Sequence, residues 1–254
     1  MATGDYRMKL TNNTVLVTGG ATGIGYALAR RFLERDNVVI ICGRRSDRLA
    51  ESQQLHPQIH TKACDVADPG EREALAKWAT EQFPSLNILV NNAGIQRRVD
   101  LARPEEDWEV TGSEIRINLE APIHLARLLG PHISRQSDPA IVNVTSGLSF
   151  VPLANVPVYC ATKAALHSFT RSLRWQMKES PIEVIEIIPP AVDTDLQAPG
   201  LHKFGVNVDE FADHVFSELG SGKSEIAYGT ALAASQASRS ELDSIYERMN
   251  GSFT

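Results

Sequence analysis

The stretch VLVTGGATGIGYAL, residues 15–28, decides the fold. It opens on the apolar run Val15-Leu16-Val17, passes glycines at 19, 23 and 25, and goes directly into an amphipathic segment. A short apolar run bounded by a glycine turn reads as a buried strand, and the segment behind it as a helix. The glycines let the chain turn tightly and leave bare backbone N–H groups at the positive end of the helix dipole, where an anion is stabilised. The spacing is Gly-x-x-x-Gly-x-Gly, not the common dinucleotide fingerprint Gly-x-Gly-x-x-Gly. Taken alone, the turn leaves open both a phosphate cradle and a tight connection without a ligand.

Outward from this turn the same alternation repeats. Apolar runs recur at 14–19, 37–43, 59–66, 86–94, 139–146 and 182–189, with a weaker one at 224–229. Helix-length stretches separate them. Strands that are continuously apolar rather than alternating are buried on both faces, which crossover helices achieve in a parallel sheet. The expected fold class is α/β: a single-domain, doubly wound, Rossmann-like parallel sheet of about seven strands flanked by helices. The first helix, over 24–36, places Ile24, Leu28, Ala29, Phe32 and Leu33 on one stripe and Arg30, Arg31, Glu34 and Arg35 opposite. Nothing repeats, and no linker divides the chain. One domain over 1–254 is expected, with a cofactor-binding core at about 9–188, a lid loop at about 189–208 and a C-terminal strand and helical tail at about 209–254. The tail reads as a surface helix with Leu242, Ile245, Tyr246 and Met249 on one side, docked on its own core.

Composition narrows the function classes. The chain has 254 residues, 43% of them hydrophobic, and a net charge of −6, which offers no overall basic field for nucleic acid. No apolar run approaches the ~18 residues of a membrane span, and the N-terminus lacks a secretory pattern. Three cysteines without Cys-x-x-Cys spacing fit reduced thiols, and the seven histidines show no metal spacing. A cytoplasmic protein with no metal, membrane or nucleic-acid partner is expected.

A second stretch, PVYCATKAAL at 157–166, sets Tyr159 and Lys163 four residues apart at the start of a helix, on one face. With TGGATGIG at 18–25, NNAG at 91–94, Asn118, and Ser146 thirteen residues before Tyr159, this pair occurs in the order and spacing of the short-chain dehydrogenase/reductase (SDR) family. The resemblance runs from about residue 9 to 229. It implies an oxidoreductase that moves a hydride between a nicotinamide cofactor and a carbonyl or alcohol carbon. Tyr159 would be the general acid/base, Lys163 would lower the Tyr159 pKa and hold the ribose hydroxyls, and Ser146 would hydrogen-bond the substrate oxygen. Asn118 resembles the family's helical Asn, which anchors a water linked to the lysine. Cys160 points off the pair's face and reads as packing.

The cofactor set on this resemblance comprises Gly19, Thr22, Gly23, Ile24, Gly25, Arg44, Arg45, Asp65, Val66, Asn92, Ala93, Gly94, Tyr159, Lys163, Val192 and Thr194. Arg44 and Arg45, where many such strands end in an acidic residue, favour NADP(H) over NAD(H). Ser46 is a candidate N-cap for the helix that follows. Pro189-Pro190 replaces the family's usual Pro-Gly. Together with the segment 146–168, it resembles a subgroup of bacterial and fungal oxidoreductases, some encoded beside teichoic-acid D-alanylation genes. Candidate substrate residues are Gln96, Leu148, Leu153, Leu196 and Phe204, with Arg97, Phe150, Val151, Val156 and His202 beside them. The leading expectation is an NADPH-dependent carbonyl reductase or secondary alcohol dehydrogenase acting on a small molecule. It would assemble as a homodimer or homotetramer through helices near 107–135 and 157–180. The alternatives are a cofactor-binding sensor or scaffold without turnover, and an NADP-linked epimerase or dehydratase.

Overall fold

The structure is a computed structural model that describes residues 8–103, 107–196, 200 and 202–251. Part of the expected lid, residues 197–199 and 201, lies outside the described residues. The strands are β1 (Thr14–Thr18), β2 (Val38–Gly43), β3 (His60–Ala63), β4 (Leu86–Asn91), β5 (Ala140–Val144), β6 (Glu183–Ile188) and β7 (Glu225–Ala227). Between and after them run α1 (Gly23–Leu33), α2 (Ser46–Leu55), α3 (Pro69–Gln82), α4 (Trp108–Ile115), α5 (Ala121–Ile133), α6 (Pro157–Gln176), α7 (Val208–Leu219), α8 (Gly229–Gln236) and α9 (Arg239–Asn250). A π-helical turn, Arg116–Glu120, joins α4 to α5.

Among the described residues the seven strands are all parallel, in the order β3-β2-β1-β4-β5-β6-β7. The order reverses between β1 and β4, so their loops diverge and open a crevice at the carboxyl ends of the strands. Period-two alternation assigns β1 to two cores. Val15 and Val17 face a cluster with Leu28, Phe32, Phe211 and Val215 from α1 and α7. Leu16 faces the other side, against Leu75, Leu125, Leu129 and Leu173 from α3, α5 and α6. Each fully buried Leu, Val or Phe side chain is worth roughly 1.5–3 kcal/mol, so both faces anchor the sheet.

Two local expectations change. Arg31 is not on a solvent face: it is only 4% exposed, with Nη1 donating to Asp209 Oδ1 at 2.6 Å and Nε to Asp213 Oδ1 at 3.0 Å. Helix α7 packs over α1 and supplies both carboxylates, a partner the α1 sequence cannot reveal. Ser46 is the first residue of α2 rather than its cap; Arg45 is the cap residue and makes no side-chain capping bond. The loop after β6 is closed at its base by a parallel bridge, Val192 to Val206, with Asp193 N donating to Val206 O at 2.8 Å.

Candidate active site

The crevice is one cleft of about 1300 Å³, reaching from the end of β2 past the glycine turn to α9. Its first wall is backbone. Gly19 has φ +63°, and a Cβ there would lie 2.8 Å from Ala93 Cα. A Cβ on Gly25 would lie 2.3 Å from Asn92 Nδ2 and 2.5 Å from Gly19 O, closer than any side chain tolerates. The turn therefore has to be glycine to bring β1, α1 and the Asn92-Ala93-Gly94 segment together. No side chain caps α1, and no acidic residue stands in its first turn, which leaves the helix N-terminus able to receive an anion. Thr22, Gly23 and Ile24 line the cleft there, with Thr194 beside Gly23. A diphosphate fits this donor set.

Two clamps hold the wall. Thr18 Oγ1 accepts from Asn92 N at 3.0 Å and Ala93 N at 3.1 Å, while Asn92 Nδ2 donates to Thr18 O at 3.0 Å and Gly19 O at 3.2 Å. The Asn92 side chain thus binds protein, and Thr18 is a supporting residue that the motif reading passed over. At the β2 end, Arg44 Nη1 lies 3.8 Å from Asp65 Oδ2, and Arg45 Nη2 donates to Thr22 Oγ1 at 3.0 Å. Arg44, Arg45, Asp65, Val66 and Val192 all line the cleft.

The other wall is made of buried side chains. Ser146 follows β5, and its Oγ accepts from Leu148 N at 3.1 Å. Tyr159 lies on the first turn of α6, with Lys163 one turn on; the ammonium is 5.7 Å from the Tyr159 ring centre and donates to Val144 O at 2.8 Å. Asn118, fully buried in the π-helical turn, brackets Ile95: its Oδ1 accepts from Ile95 N at 2.9 Å and its Nδ2 donates to Ile95 O at 2.8 Å. Asn118 Nδ2 also reaches Thr162 Oγ1 on α6 at 3.2 Å, which ties the turn to the helix of the pair.

Electrostatics differ from the expectation. Burial pushes the Tyr159 phenol well above its ordinary range, and the opposing influence is a hydrogen bond from Ser146, not the Lys163 charge. Lys163 is itself lowered to about 8 by burial, against the stabilising charges of Glu114 and Glu186. Lys163 thus gives up its proton before the phenol does, and its ammonium donates to the Val144 carbonyl at 2.8 Å. At neutral pH the site therefore holds a protonated phenol beside a protonated ammonium. Glu114, on α4, is fully buried. Burial raises it to about 7, opposed by the backbone N–H of Arg97, the Arg97 charge and Lys163.

Gln96, Leu148, Leu153, Leu196 and Phe204 all line the cleft, with Arg97, Val151, Val156 and His202. Phe204 is 78% exposed, so it sits at the rim. Phe150 does not line the cleft; its ring meets His167 edge-on at 4.8 Å. The tail contributes more than expected. Asn250 donates to Pro152 O at 3.1 Å and accepts from Ala154 N at 2.7 Å, which docks α9 on the segment 152–154 and puts Ile245, Arg248 and Met249 on the cleft wall. The stripe of α9 is legible in the sequence, but its docking site is not.

Comparison with known proteins agrees with this geometry. Residues 13–203 match the sequence profile described as short chain dehydrogenase. The chain is 51% identical over 248 residues to an oxidoreductase of Bacillus subtilis (strain 168), DltE, covering 96% of this chain and 98% of that protein. Among solved structures it resembles a short chain dehydrogenase from Burkholderia cenocepacia in complex with NADP, with TM-score 0.82, 24% identity and coverage of 95% and 99% of the two chains. It also resembles a short chain dehydrogenase/reductase from Burkholderia phymatum in complex with NAD, with TM-score 0.81, 18% identity and coverage of 93% and 95%. These two likenesses show the fold. Profile and relative together establish that the chain is an oxidoreductase of the short-chain dehydrogenase family.

Proposed function

We propose that the protein is an NADPH-dependent carbonyl reductase, able to run in reverse as a secondary alcohol dehydrogenase. The observation that carries this reading is the convergence of Ser146, Tyr159 and Lys163 on the cleft that the glycine turn opens. The bound nicotinamide supplies the hydride. Thr22, Gly23, Ile24 and the flanking glycines would take the diphosphate; Asp65 and Val66 the adenine; Lys163 the nicotinamide ribose; Asn92, Ala93, Gly94, Val192 and Thr194 the nicotinamide end. Arg44 and Arg45 would meet a 2′-phosphate, although Asp65 beside Arg44 offsets part of its charge.

Tyr159 is kept protonated by burial, so it enters reduction as the acid and delivers its proton to the carbonyl oxygen as negative charge develops there. Ser146 hydrogen-bonds the same oxygen and orients it. Lys163 stabilises the phenolate left behind, a task that begins only when the proton has moved. Asn118 holds Ile95 and Thr162 and so fixes the loop and helix on either side. The substrate end is apolar at Leu148, Val151, Leu153, Ile245 and Met249, but Arg98 and Arg248 also line it. Carbonyl compounds with a carboxylate or phosphate away from the reacting carbon are therefore the first to try. Trp108, Ile115 and Ile123 on α4 and α5, and Trp175 on α6, are exposed and fit a homodimer or homotetramer through those helices.

The test is loss of reduced-nicotinamide absorbance over a carbonyl panel, with NADPH and NADH side by side. Turnover with NADPH preferred is the expected result. Tight binding of NADPH with no consumption would favour a sensor or scaffold.

A further inference from the structure

Helix α6 carries both Tyr159 and Lys163, and its sheet-facing stripe is polar where an apolar ridge is usual. At helical spacing the stripe is Lys163, His167, Thr170 and Arg174, and each member bonds to the sheet. Lys163 donates to Val144 O at 2.8 Å. His167 Nδ1 is 2.9 Å from both oxygens of Glu186. Thr170 Oγ1 accepts from Asn143 Nδ2 at 2.9 Å. Arg174 donates to Val184 O at 3.0 Å, Ser224 O at 2.9 Å and Glu225 Oε1 at 3.2 Å. The sheet answers with a polar row in register: Asn91, Asn143, Glu186 and Glu225 on β4 to β7, with Asn91 Nδ2 donating to Asn143 Oδ1 at 2.9 Å.

Glu186 is the exceptional member of that row. It is fully buried in the interior of the sheet, where a charge is costly unless it is paired and hydrogen-bonded. It accepts from Thr145 Oγ1 at 2.6 Å as well as from His167. A carboxylate only accepts, so His167 Nδ1 carries the proton. Its two partners flank the pair's machinery. Thr145 stands between Val144, whose carbonyl receives Lys163, and Ser146; His167 is one turn beyond Lys163.

We propose that Glu186 is a positioning residue for the proton-transfer pair, its charge binding the Thr145–Ser146 strand end and α6 into one register through Thr145 and His167. The proposal rests on the reading that Tyr159 and Lys163 move the proton. The groups that bear on Lys163 are Glu114 from α4, Glu186 from β6, and Tyr159 and His167 on α6 itself; those that bear on Glu186 are Lys163, His167, and Glu225 with Arg174 at the β7 edge. Because the Glu186 charge supports protonated Lys163, its removal lowers the pH at which the ammonium is lost.

The test compares Glu186→Gln, which keeps an acceptor and the side-chain volume, with His167→Leu, which keeps the Glu186 charge and, having no donor, cuts the tether. For Glu186→Gln the expected outcome is NADPH affinity near wild type, kcat lower by about ten- to a hundredfold as misplacement allows, and an alkaline limb of kcat moved to lower pH. For His167→Leu it is a smaller kcat loss without that move. Wild-type kcat and an unmoved limb in Glu186→Gln would overturn the proposal. Should that variant fail to fold, wild-type kcat in His167→Leu would do so. Tyr159→Phe in the same series separates the two claims: if it retains activity the parent reading fails, whereas if it is inactive while Glu186→Gln is normal only this inference fails.

Discussion

The two walls of the cleft are built on opposite plans. The wall at β1, α1 and residues 92–94 is backbone, held by close approach at Gly19 and Gly25 and by the Thr18 and Asn92 clamps. The wall at β5 and α6 is a buried side-chain network: Ser146, Tyr159 and Lys163 in front, with Asn118, Glu114, Thr145, His167 and Glu186 behind. The two plans imply different sensitivities. On the proposed reading a backbone cradle would bind charge without titrating, so added volume should break it. A buried network would move protons, so lost hydroxyls and altered charge should break it.

The sharpest contrast is expected from Tyr159→Phe. Removing one oxygen should lower kcat by about 10²–10⁴-fold, the usual weight of general acid catalysis, while NADPH affinity by fluorescence titration stays within about threefold. More than a tenth of wild-type turnover would break the side-chain half of the comparison. Gly25→Ala should do the reverse. Its Cβ meets Asn92 and the Gly19 carbonyl, so NADPH affinity should fall at least tenfold and stability by roughly 1–3 kcal/mol from overpacking. Unaltered affinity in a folded variant would contradict the cradle.

A third expectation concerns charge behind the network. The Glu114 carboxyl is raised from an ordinary 4.5 to about 7, so between those values the folded protein keeps a proton that the unfolded chain has released. The stability this group contributes is present below about pH 4.5 and lost as pH rises through 7, by up to about 3 kcal/mol. Glu114→Gln should flatten that part of the stability profile, read by urea unfolding at pH 5 and pH 8. An unchanged difference between the two pH values would contradict the shift. The smallest effect belongs to the β2 end. Arg44 is exposed and shares its charge with Asp65, so Arg44→Ala should reduce the NADPH-over-NADH preference by about tenfold, as loss of one screened charge-assisted bond implies. A wild-type preference for NADH would contradict the 2′-phosphate assignment.

The same division governs what the sequence makes legible. The backbone wall is written in local signals: the apolar run at 15–17, the glycines at 19, 23 and 25, and residues 91–94. Strands β1, β2, β4, β5 and β6 follow from the same kind of run, whereas the edge strands β3 (His60–Ala63) and β7 (Glu225–Ala227) are short and partly exposed, because each has a neighbour on one side only. The front of the network is legible through the family resemblance, because Ser146, Tyr159 and Lys163 fall in the order and spacing of its motifs, while the one-turn spacing of Tyr159 and Lys163 alone decides nothing. What lies behind is not legible. His167 and Glu186 are nineteen residues apart and meet only once α6 has packed on β6. Arg31 reads as solvent-facing until α7 brings Asp209 and Asp213 to it. Phe150 follows Ser146 closely yet turns to His167 and away from the cleft, and α9 shows its stripe but not its seat over residues 152–154. Each of these is a contact between elements, with no periodicity to announce it.

That this cleft transfers a hydride to a carbonyl carbon is best tested with NADPH carrying deuterium at both hydrogen positions of nicotinamide C4, so that either face delivers label. The isotope would be followed by mass spectrometry into the products of a carbonyl panel that includes acidic members. The expected result is an alcohol with one deuterium on the carbinol carbon, formed by the wild type and reduced to trace by Tyr159→Phe. Bound NADPH with no label leaving it for any carbonyl, or a substrate isomerised or dehydrated with the cofactor recovered unchanged, would contradict the claim.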